Sequence, residues 1–327
     1  MFSIIIPLYN KAPYVRKAIE SVLSQTYQEF EVIVVDDGST DDSLSNAQFI
    51  IHNLELQEPD KFKKIKIVQQ ENQGVSTTRN NGVKLAKYDY IAFLDADDWW
   101  EPTYLEEMKA LIAKYPGAGM YSSSYYKIKE SQKIVARIGV DSAFTDGIIN
   151  YFDTYRKTMW MPVWTGAVII RKNYFLEEGG FRKNLKIGED FDLWIRLALK
   201  YPVIFLNTPL SNYNQDVDYV NRAAHGKLHA KESDFLFNTD IYSQSESENN
   251  DLKRLLDKHR IMHLKAYYFN NERKQDAYHE LSKVDWNLQP LNVRLLYNQP
   301  YIIGKALFQT QYGWGIVKQR IKRLLRK

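Results

Sequence analysis

The 327-residue sequence contains no cysteine, which removes disulfides, thiolate zinc sites and cysteine nucleophiles together. Long apolar runs are missing as well. The longest candidates, Ile4 to Pro7 and Val32 to Val35, are strand-sized and fall far short of the roughly 18 to 20 residues that a membrane span needs. Met1-Phe2-Ser3 enters its apolar stretch with no basic segment before it, which predicts no signal peptide and a cytoplasmic protein. Glycine-rich phosphate loops are also lacking. There is no Gly-x-x-x-x-Gly-Lys-Ser/Thr, and no Gly-x-Gly-x-x-Gly follows the first predicted strand, so neither a P-loop nucleoside triphosphatase nor a dinucleotide dehydrogenase is supported.

Charge of one sign is scarce in most of the chain. Lys+Arg total 44 against 40 Asp+Glu, a formal +4. The last twelve residues, Ile316 to Lys327, hold six bases and no acid, so residues 1–315 carry 38 bases against 40 acids. A near-neutral body argues against nucleic acid as partner, because that would require a basic face on the folded domain. Hydrophobic residues make up 44% and charged residues 26%, outside the corner of composition where disorder lives, so a packed core is expected. The length exceeds what one core of about 250 to 300 residues uses, which predicts one large domain and an appendage.

From Met1 to about Leu210, short apolar runs alternate with amphipathic stretches, the pattern of βαβ units around a mainly parallel sheet. Strands are predicted at Phe2–Pro7, Phe30–Val35, Ile65–Val68, Tyr90–Leu94, Met120–Lys127, Ala167–Arg171 and Val203–Leu206. Helices are predicted at Ala12–Gln25, from Asp41, from Val75, at Pro102–Lys114, near Ile148–Arg156 and from Gly188. Beyond about Asn212, helix formers dominate, as in Asn250–Phe269 and Asn271–Val284. The polar run Ser243 to Asn250 reads as an exposed linker. These patterns divide the chain into a sheet-based domain over 1–215 and a mainly helical region over 216–327.

Ligands of a parallel α/β sheet bind at the carboxyl ends of its strands, and two acidic clusters lie at that edge. Asp36-Asp37-Gly38-Ser39-Thr40-Asp41 follows the second strand and Asp95-Ala96-Asp97-Asp98 the fourth. Standing alone, the first is more often a turn with a helix N-cap, to which Asp41 or Ser39 would belong. Asp95 and Asp97 are two apart, so an extended segment projects both to one side, where they can hold Mg²⁺ or Mn²⁺ together with substrate phosphates. A turn is the plainer reading of that pair too. Glu189-Asp190, preceded by Gly188, falls in the first turn of a helix, where the dipole favours ionised acids. That placement suits capping, and it also suits a carboxylate that removes a proton from a sugar hydroxyl.

Taken together, these residues resemble family 2 glycosyltransferases with the GT-A fold, over about residues 2–210. The resemblance is carried by Ser3-Ile4-Ile5-Ile6-Pro7-Leu8-Tyr9-Asn10, Val34 to Asp41, Asn72 to Gly82, Leu94 to Asp98 and Gly188-Glu189-Asp190, in that order. It implies a mixed, mainly parallel sheet flanked by helices, and an inverting transfer of a sugar from a nucleoside-diphosphate donor, a UDP-sugar first, to a saccharide or lipid-linked acceptor. It further implies that Tyr9 flanks the base, Asp37 accepts the imide N–H, Arg79 approaches the diphosphate, Asp95 lies at the ribose or sugar, and Asp97 binds Mn²⁺ or Mg²⁺. Asp190 is implied as the general base and Glu189 as its neighbour orienting the acceptor. Asp36 and Asp98 stand as one-residue alternatives to Asp37 and Asp97. One departure is visible: where many relatives carry a basic or His-containing segment after the last sheet strand, this chain reads Tyr213-Asn214-Gln215-Asp216-Val217-Asp218, with Arg222 and His225 only later.

Trp164-Thr165-Gly166 is a further candidate for lining the acceptor site, although buried tryptophan is the commoner fate. Residues 316–327 can be drawn as a basic amphipathic helix with Val317, Ile321, Leu324 and Leu325 on one stripe. Such a helix suits the cytoplasmic face of an anionic membrane, where a lipid-linked acceptor of polysaccharide or cell-envelope synthesis would be found. The alternative is a terminal helix docked by its apolar stripe. Two other functions compete with glycosyl transfer. A sugar-nucleotide nucleotidyltransferase needs a Gly- and Lys/Arg-rich loop after the first strand, and Pro7-Leu8-Tyr9-Asn10-Lys11 has no glycine. A non-catalytic sugar-nucleotide binder would have no need of both Asp97 and Asp190.

Overall fold

Seven consecutive buried residues, Phe2 to Leu8, form the first strand, and a strand buried on both faces requires cover on both. The computed structural model describes residues 1–217, 230–270, 273–298 and 303–306. Two compact units divide the chain, Met1–Phe235 and Leu236–Lys327. In order, the first contains β1 (Phe2–Leu8), α1 (Val15–Leu23), β2 (Phe30–Asp36), α2 (Ser43–Gln57), α3 (Pro59–Phe62), β3 (Ile65–Gln69), α4 (Val75–Leu85), β4 (Tyr90–Phe93), β5 (Trp99–Trp100) and α5 (Tyr104–Lys114). It continues with β6 (Met120–Lys129), β7 (Gln132–Val135), β8 (Asp146–Ile149), α6 (Tyr151–Thr158), β9 (Val168–Arg171), α7 (Lys172–Glu177), α8 (Glu189–Lys200) and β10 (Val203–Asn214).

The sheet runs β3-β2-β1-β4-β9-β6-β10-β5, with β7 beside β6 and β8 beside β10. Pairings β1–β2, β2–β3, β1–β4 and β6–β10 are parallel, and β9 lies antiparallel between β4 and β6. The expected mixed, mainly parallel sheet with flanking helices is therefore present. After β1 the chain builds β2 and β3 on one side and β4 on the other, so the order reverses at β1 and opens a crevice beyond the carboxyl ends of β1 and β4. Helix α1 covers the sheet with Val15, Ala18, Ile19, Val22 and Leu23, all buried. Helix α4 comes closer still: a Cβ on Gly82 would stand 2.4 Å from Cγ2 of Ile5 on β1.

Three local expectations need correction. The last strand does not stop at Leu206 but continues to Asn214, with register shifts around Pro209, which has no N–H to give a ladder. Beyond the shift Asn212 is fully buried, and its side-chain amide donates to Trp99 O at 3.2 Å and Glu101 Oε1 at 2.7 Å. The helix expected near Ile148–Arg156 is split. Its first residues form β8 against β10, and Asn150 then caps α6 by accepting from Asp153 N at 3.1 Å.

The third correction lies in the second unit, which contains α9 (Ser243–Glu248), α10 (Asn250–His263), α11 (Lys265–Asn270), α12 (Lys274–Ser282) and α13 (Leu291–Asn298). The run Ser243 to Asn250 is not a solvated linker, because most of it is helical and Glu246 is buried. Its carboxylate takes both terminal nitrogens of buried Arg260, at 2.6 and 2.7 Å. Leu236, Phe237, Ile261, Leu264, Ala277, Leu281 and Val284 form this unit's own apolar core. The first unit gains residues 230–235 through the bridge of Ile187 to Asp234 and the bond from Lys186 N to Ser233 O at 2.7 Å. Among the described residues no helix is long and apolar enough to cross a membrane. The basic segment 316–327, Phe308, Trp314, Arg222 and His225 fall outside the described residues.

Candidate active site

The turn after β1 places the first site residues. Tyr9 is exposed at the strand's end. Asn10 takes a left-handed backbone conformation (φ +51°), which asparagine tolerates better than most residues. Its side-chain oxygen accepts from Thr40 N at 2.9 Å, while its own N–H donates to Ser39 Oγ at 3.2 Å. Lys11 N–H donates to Ser43 Oγ at 2.6 Å. Asp41 accepts from Ala12 N and Ser43 N at 3.2 and 2.9 Å. Ser39, Thr40 and Asp41 thus clamp the β1 turn to the entry of α2, whose N-cap residue is Asp42 and carries no side-chain cap bond.

Both oxygens of buried Asp37 are engaged. Oδ1 accepts from Gln70 Nε2 at 2.7 Å and Gln73 N at 2.8 Å, and Oδ2 accepts from Gly74 N at 2.9 Å. Asp37 therefore ties the loop before α4 to the end of β2, and contact with a further donor requires one of these to yield. Asp36 Oδ2 accepts from Ser39 N at 3.3 Å, while its Oδ1 is buried without a partner.

Arg79, on α4, connects the acidic groups. It is buried, and its guanidinium donates to Asp95 Oδ1 at 2.7 Å and Glu189 Oε1 at 3.1 Å, with Phe181 beneath it at 5.2 Å. Burial acts to lower its pKa, and the charges of Asp95 and Glu189 outweigh it, so Arg79 is held firmly protonated. Glu189 is pushed up to about 7, by burial first and then by the Asp190 charge, with Arg79 opposing. Asp190 is raised as well, by burial, with Arg79 again opposing. Both acids open α8 behind Gly188, whose φ of +74° and whose missing Cβ, which would lie 2.7 Å from Phe235 Cβ, suit glycine there. Asp192, the third acid of that turn, points inward to Arg196 and Arg182 at 2.7 and 3.1 Å.

Glu189 and Asp190 face different surroundings. Glu189 joins Arg79 and Asp95, whereas Asp190 Oδ2 accepts from Thr165 Oγ1 at 3.3 Å and Oδ1 from Phe191 N at 2.7 Å. Burial raises the phenols of Tyr125 and Tyr155; the Asp190 charge comes next for Tyr155, and for Tyr125 it follows the neighbouring phenols of Tyr155 and Tyr213. Trp164, next to Thr165, packs on Tyr213 at 4.2 Å and Tyr125 at 5.7 Å between ring centroids. Asp190 therefore borders an aromatic wall built of Trp164, Tyr213 and Tyr125.

Asp97 makes its ion pair with a residue that sequence reasoning passed over: Lys11 Nζ lies 2.6 Å from Asp97 Oδ2. The signal was present in Lys11 itself, a base two residues beyond Tyr9 at the same sheet edge. Burial raises Asp97, Lys11 opposes and Asp95 adds to the rise. Asp98 is fully buried, accepts from Asn214 N at 2.8 Å, and is raised strongly by burial and by Asp97, which makes it a structural acid rather than an accessible ligand. Asp97, Pro13, Tyr14, Lys17, Trp99 and Asn214 line a cleft of about 230 Å³.

The carboxylate oxygens after β4 are the hard donors that Mg²⁺ and Mn²⁺ prefer. Among the described residues the one group of three acids or histidines with ligand atoms within 4.8 Å is Asp240, His279 and Glu280. That trio lies in the second unit and is already neutralised by Lys283, 2.7 Å from Asp240 and 2.6 Å from Glu280. The β4 acids thus offer one or two ligands and no closed cage. This fits a cation that completes its shell with phosphate and water.

Known proteins resemble this chain in sequence and in fold. An uncharacterized glycosyltransferase of Rickettsia felis is 35% identical over 211 residues, 64% of this chain and 32% of that protein, so the chain spans about a third of that relative's length. S. aureus TarS 1-349, solved in complex with UDP-GlcNAc, superposes with a TM-score of 0.67 at 19% identity, covering 86% of this chain and 79% of that one. The mannosyltransferase PcManGT of Pyrobaculum calidifontis, solved with GDP-Man and Mn²⁺, gives 0.54 at 17% identity, covering 94% and 86%. These structures share the GT-A fold. Residues 3–174, which carry β1 to β4 and the acids at their ends, match the sequence profile of Glycosyl transferase family 2, and this chain belongs to that family.

Proposed function

We propose that the chain is an inverting glycosyltransferase, moving a sugar from a nucleoside-diphosphate donor to a saccharide or lipid-linked acceptor by single displacement. The observation that carries this reading is the division of the acids. Asp95, Asp97 and Glu189 make ion pairs with the cations Arg79 and Lys11, whereas Asp190, within the field of Arg79, accepts its hydrogen bond from Thr165 beside the aromatic wall. One group of charges suits a leaving diphosphate and the other a reacting hydroxyl.

In this reading Tyr9 flanks the nucleotide base and Asp37, with the loop it holds, borders the base edge. Asp97, with Asp95 beside it, holds Mn²⁺ or Mg²⁺, which when bound neutralises the charge of the leaving diphosphate. Arg79 is anchored by Asp95 and Glu189, so it supplies a fixed positive field on the donor side. Asp190 accepts the proton of the acceptor hydroxyl as that oxygen attacks the anomeric carbon. Thr165 orients the carboxylate and Trp164 packs along the acceptor. Glu189 acts through Arg79, because its carboxylate is committed there. A base on one face and a leaving group on the other give inversion without a covalent intermediate, so no second carboxylate at nucleophile distance is needed.

The UDP-GlcNAc of TarS supports UDP-sugars as the donors to try first, and the Mn²⁺ of PcManGT supports that ion. The test is nucleoside diphosphate release from a panel of sugar nucleotides with Mn²⁺ or Mg²⁺. We expect one UDP-sugar to be turned over; no release from any donor, with or without acceptor, contradicts the reading. We further propose that residues 316–327 bring the protein to the cytoplasmic face of an anionic membrane. Flotation with anionic vesicles, lost on truncation after Gly315, supports this, and flotation unchanged by truncation refutes it.

A further inference from the structure

We infer that Lys11 is the resting counter-ion of Asp97, displaced when a divalent cation arrives with a nucleoside diphosphate and then passed to the diphosphate oxygens. The inference rests on the proposed metal role of Asp97. It starts from the 2.6 Å pair between Lys11 Nζ and Asp97 Oδ2, whose side chains are only 16% and 18% exposed. A divalent ion sits about 2.0 to 2.1 Å from its oxygen ligands. It cannot share that carboxylate with an ammonium at hydrogen-bond distance without strong repulsion in a partly desolvated cleft. The two cations therefore compete for Asp97.

The backbone indicates which part moves. Lys11 N–H is fixed to Ser43 Oγ at 2.6 Å, and the preceding Asn10 is locked to Thr40 at 2.9 Å. The main chain therefore stays and the four-carbon stem swings, as lysine's flexible point charge allows. The cleft beside Asp97, bordered by Lys17, Trp99 and Asn214, gives the stem room. An ammonium expelled from Asp97 beside an incoming diphosphate finds its next counter-charge on the phosphate oxygens. Metal and nucleotide are then thermodynamically coupled: Lys11 weakens metal binding alone and strengthens it when the nucleotide is present.

The experiment is Mn²⁺ titration of the full chain followed by electron paramagnetic resonance, with and without UDP, for wild type, Lys11→Met, Lys11→Arg and Asp97→Asn. Thermal melts confirm folding, with Lys11→Gln as a second neutral variant. Without UDP, Lys11→Met is expected to bind Mn²⁺ about tenfold more tightly than wild type, within the range of ordinary coupling. Lys11→Arg is expected to stay within about twofold. UDP should tighten Mn²⁺ binding less in Lys11→Met than in wild type. If Asp97→Asn abolishes the UDP-dependent Mn²⁺ signal while Lys11→Met binds Mn²⁺ no more tightly than wild type, the counter-ion inference alone is overturned. If Asp97→Asn retains wild-type Mn²⁺ binding, or no protein binds Mn²⁺ with UDP, the metal role of Asp97 and this inference are both overturned.

Discussion

Arg79 on α4 donates to Glu189 at the start of α8 across 110 residues of sequence, at 3.1 Å, while its other nitrogen holds Asp95 at 2.7 Å. This fixes the carboxyl end of β4 to the helix that carries Asp190. Removing the guanidinium with Arg79→Met strands two carboxylates in a poorly solvated place. We expect a loss of about 3 to 5 kcal/mol in denaturant unfolding, recovered in part in Arg79→Met/Glu189→Gln, which leaves Asp95 without its partner. A single variant as stable as wild type would mean that the bridge contributes nothing.

The raised Glu189 carboxyl predicts a pH dependence. Its ordinary value of 4.5 moves to about 7 in the folded protein, so between these values the folded protein holds a proton that the unfolded chain has released. Stability from this group therefore falls as pH rises through that window. Transfer runs the other way, because the ionised carboxylate grips Arg79. The rate should rise with pH as Glu189, pushed up to about 7, and Asp190, also raised, ionise. Glu189→Gln should move that limb to lower pH. A pH profile of kcat/KM with the same limb in both proteins would refute the assignment.

At Gly82 the close approach of α4 to β1 leaves no space for a side chain, since Ile5 is fully buried and its Cγ2 lies 2.4 Å from the Cβ position. Gly82→Ala should cost about 1 to 3 kcal/mol through overpacking. Pairing it with Ile5→Ala, which removes the Cγ2 that stands in the way, should cost less than the two single losses added together. Chemical denaturation of the three variants checks this, and a neutral Gly82→Ala would show that the helix shifts freely.

Trp164, which the proposed function assigns to the acceptor side, packs on Tyr213 and Tyr125 next to Thr165. Trp164→Ala should raise the acceptor KM about tenfold, in line with the loss of one aromatic contact. Binding of the nucleotide, measured by titration, should stay within twofold. A change confined to nucleotide binding would place Trp164 on the donor side instead.

The parallel half of the sheet was legible because β1, β2 and β4 are continuous apolar runs, and such runs have one common use. The second half of β10 was not, because Ser211, Asn212 and Asn214 look like loop residues until Trp99, Glu101 and Asp98 supply their partners. Ser243 to Asn250 was misread for a related reason: composition cannot reveal that Glu246 will find Arg260. At the site, the acids were visible from their type and their place after strands. Their partners were not, since pairing Asp97 with Lys11 over 86 residues, and Glu189 with Arg79 over 110, is decided by tertiary structure.

The division of labour between Asp97 and Asp190 is tested most directly by calorimetric titration of UDP with Mn²⁺ into Asp97→Ala and Asp190→Asn, alongside turnover of each. Asp97→Ala should lose Mn²⁺-dependent UDP binding. Asp190→Asn should bind UDP within about twofold of wild type yet lose transfer by a factor of about 10² to 10⁴, the range of general base catalysis. Equal loss of UDP binding in both variants, or full turnover by Asp190→Asn, would contradict the account.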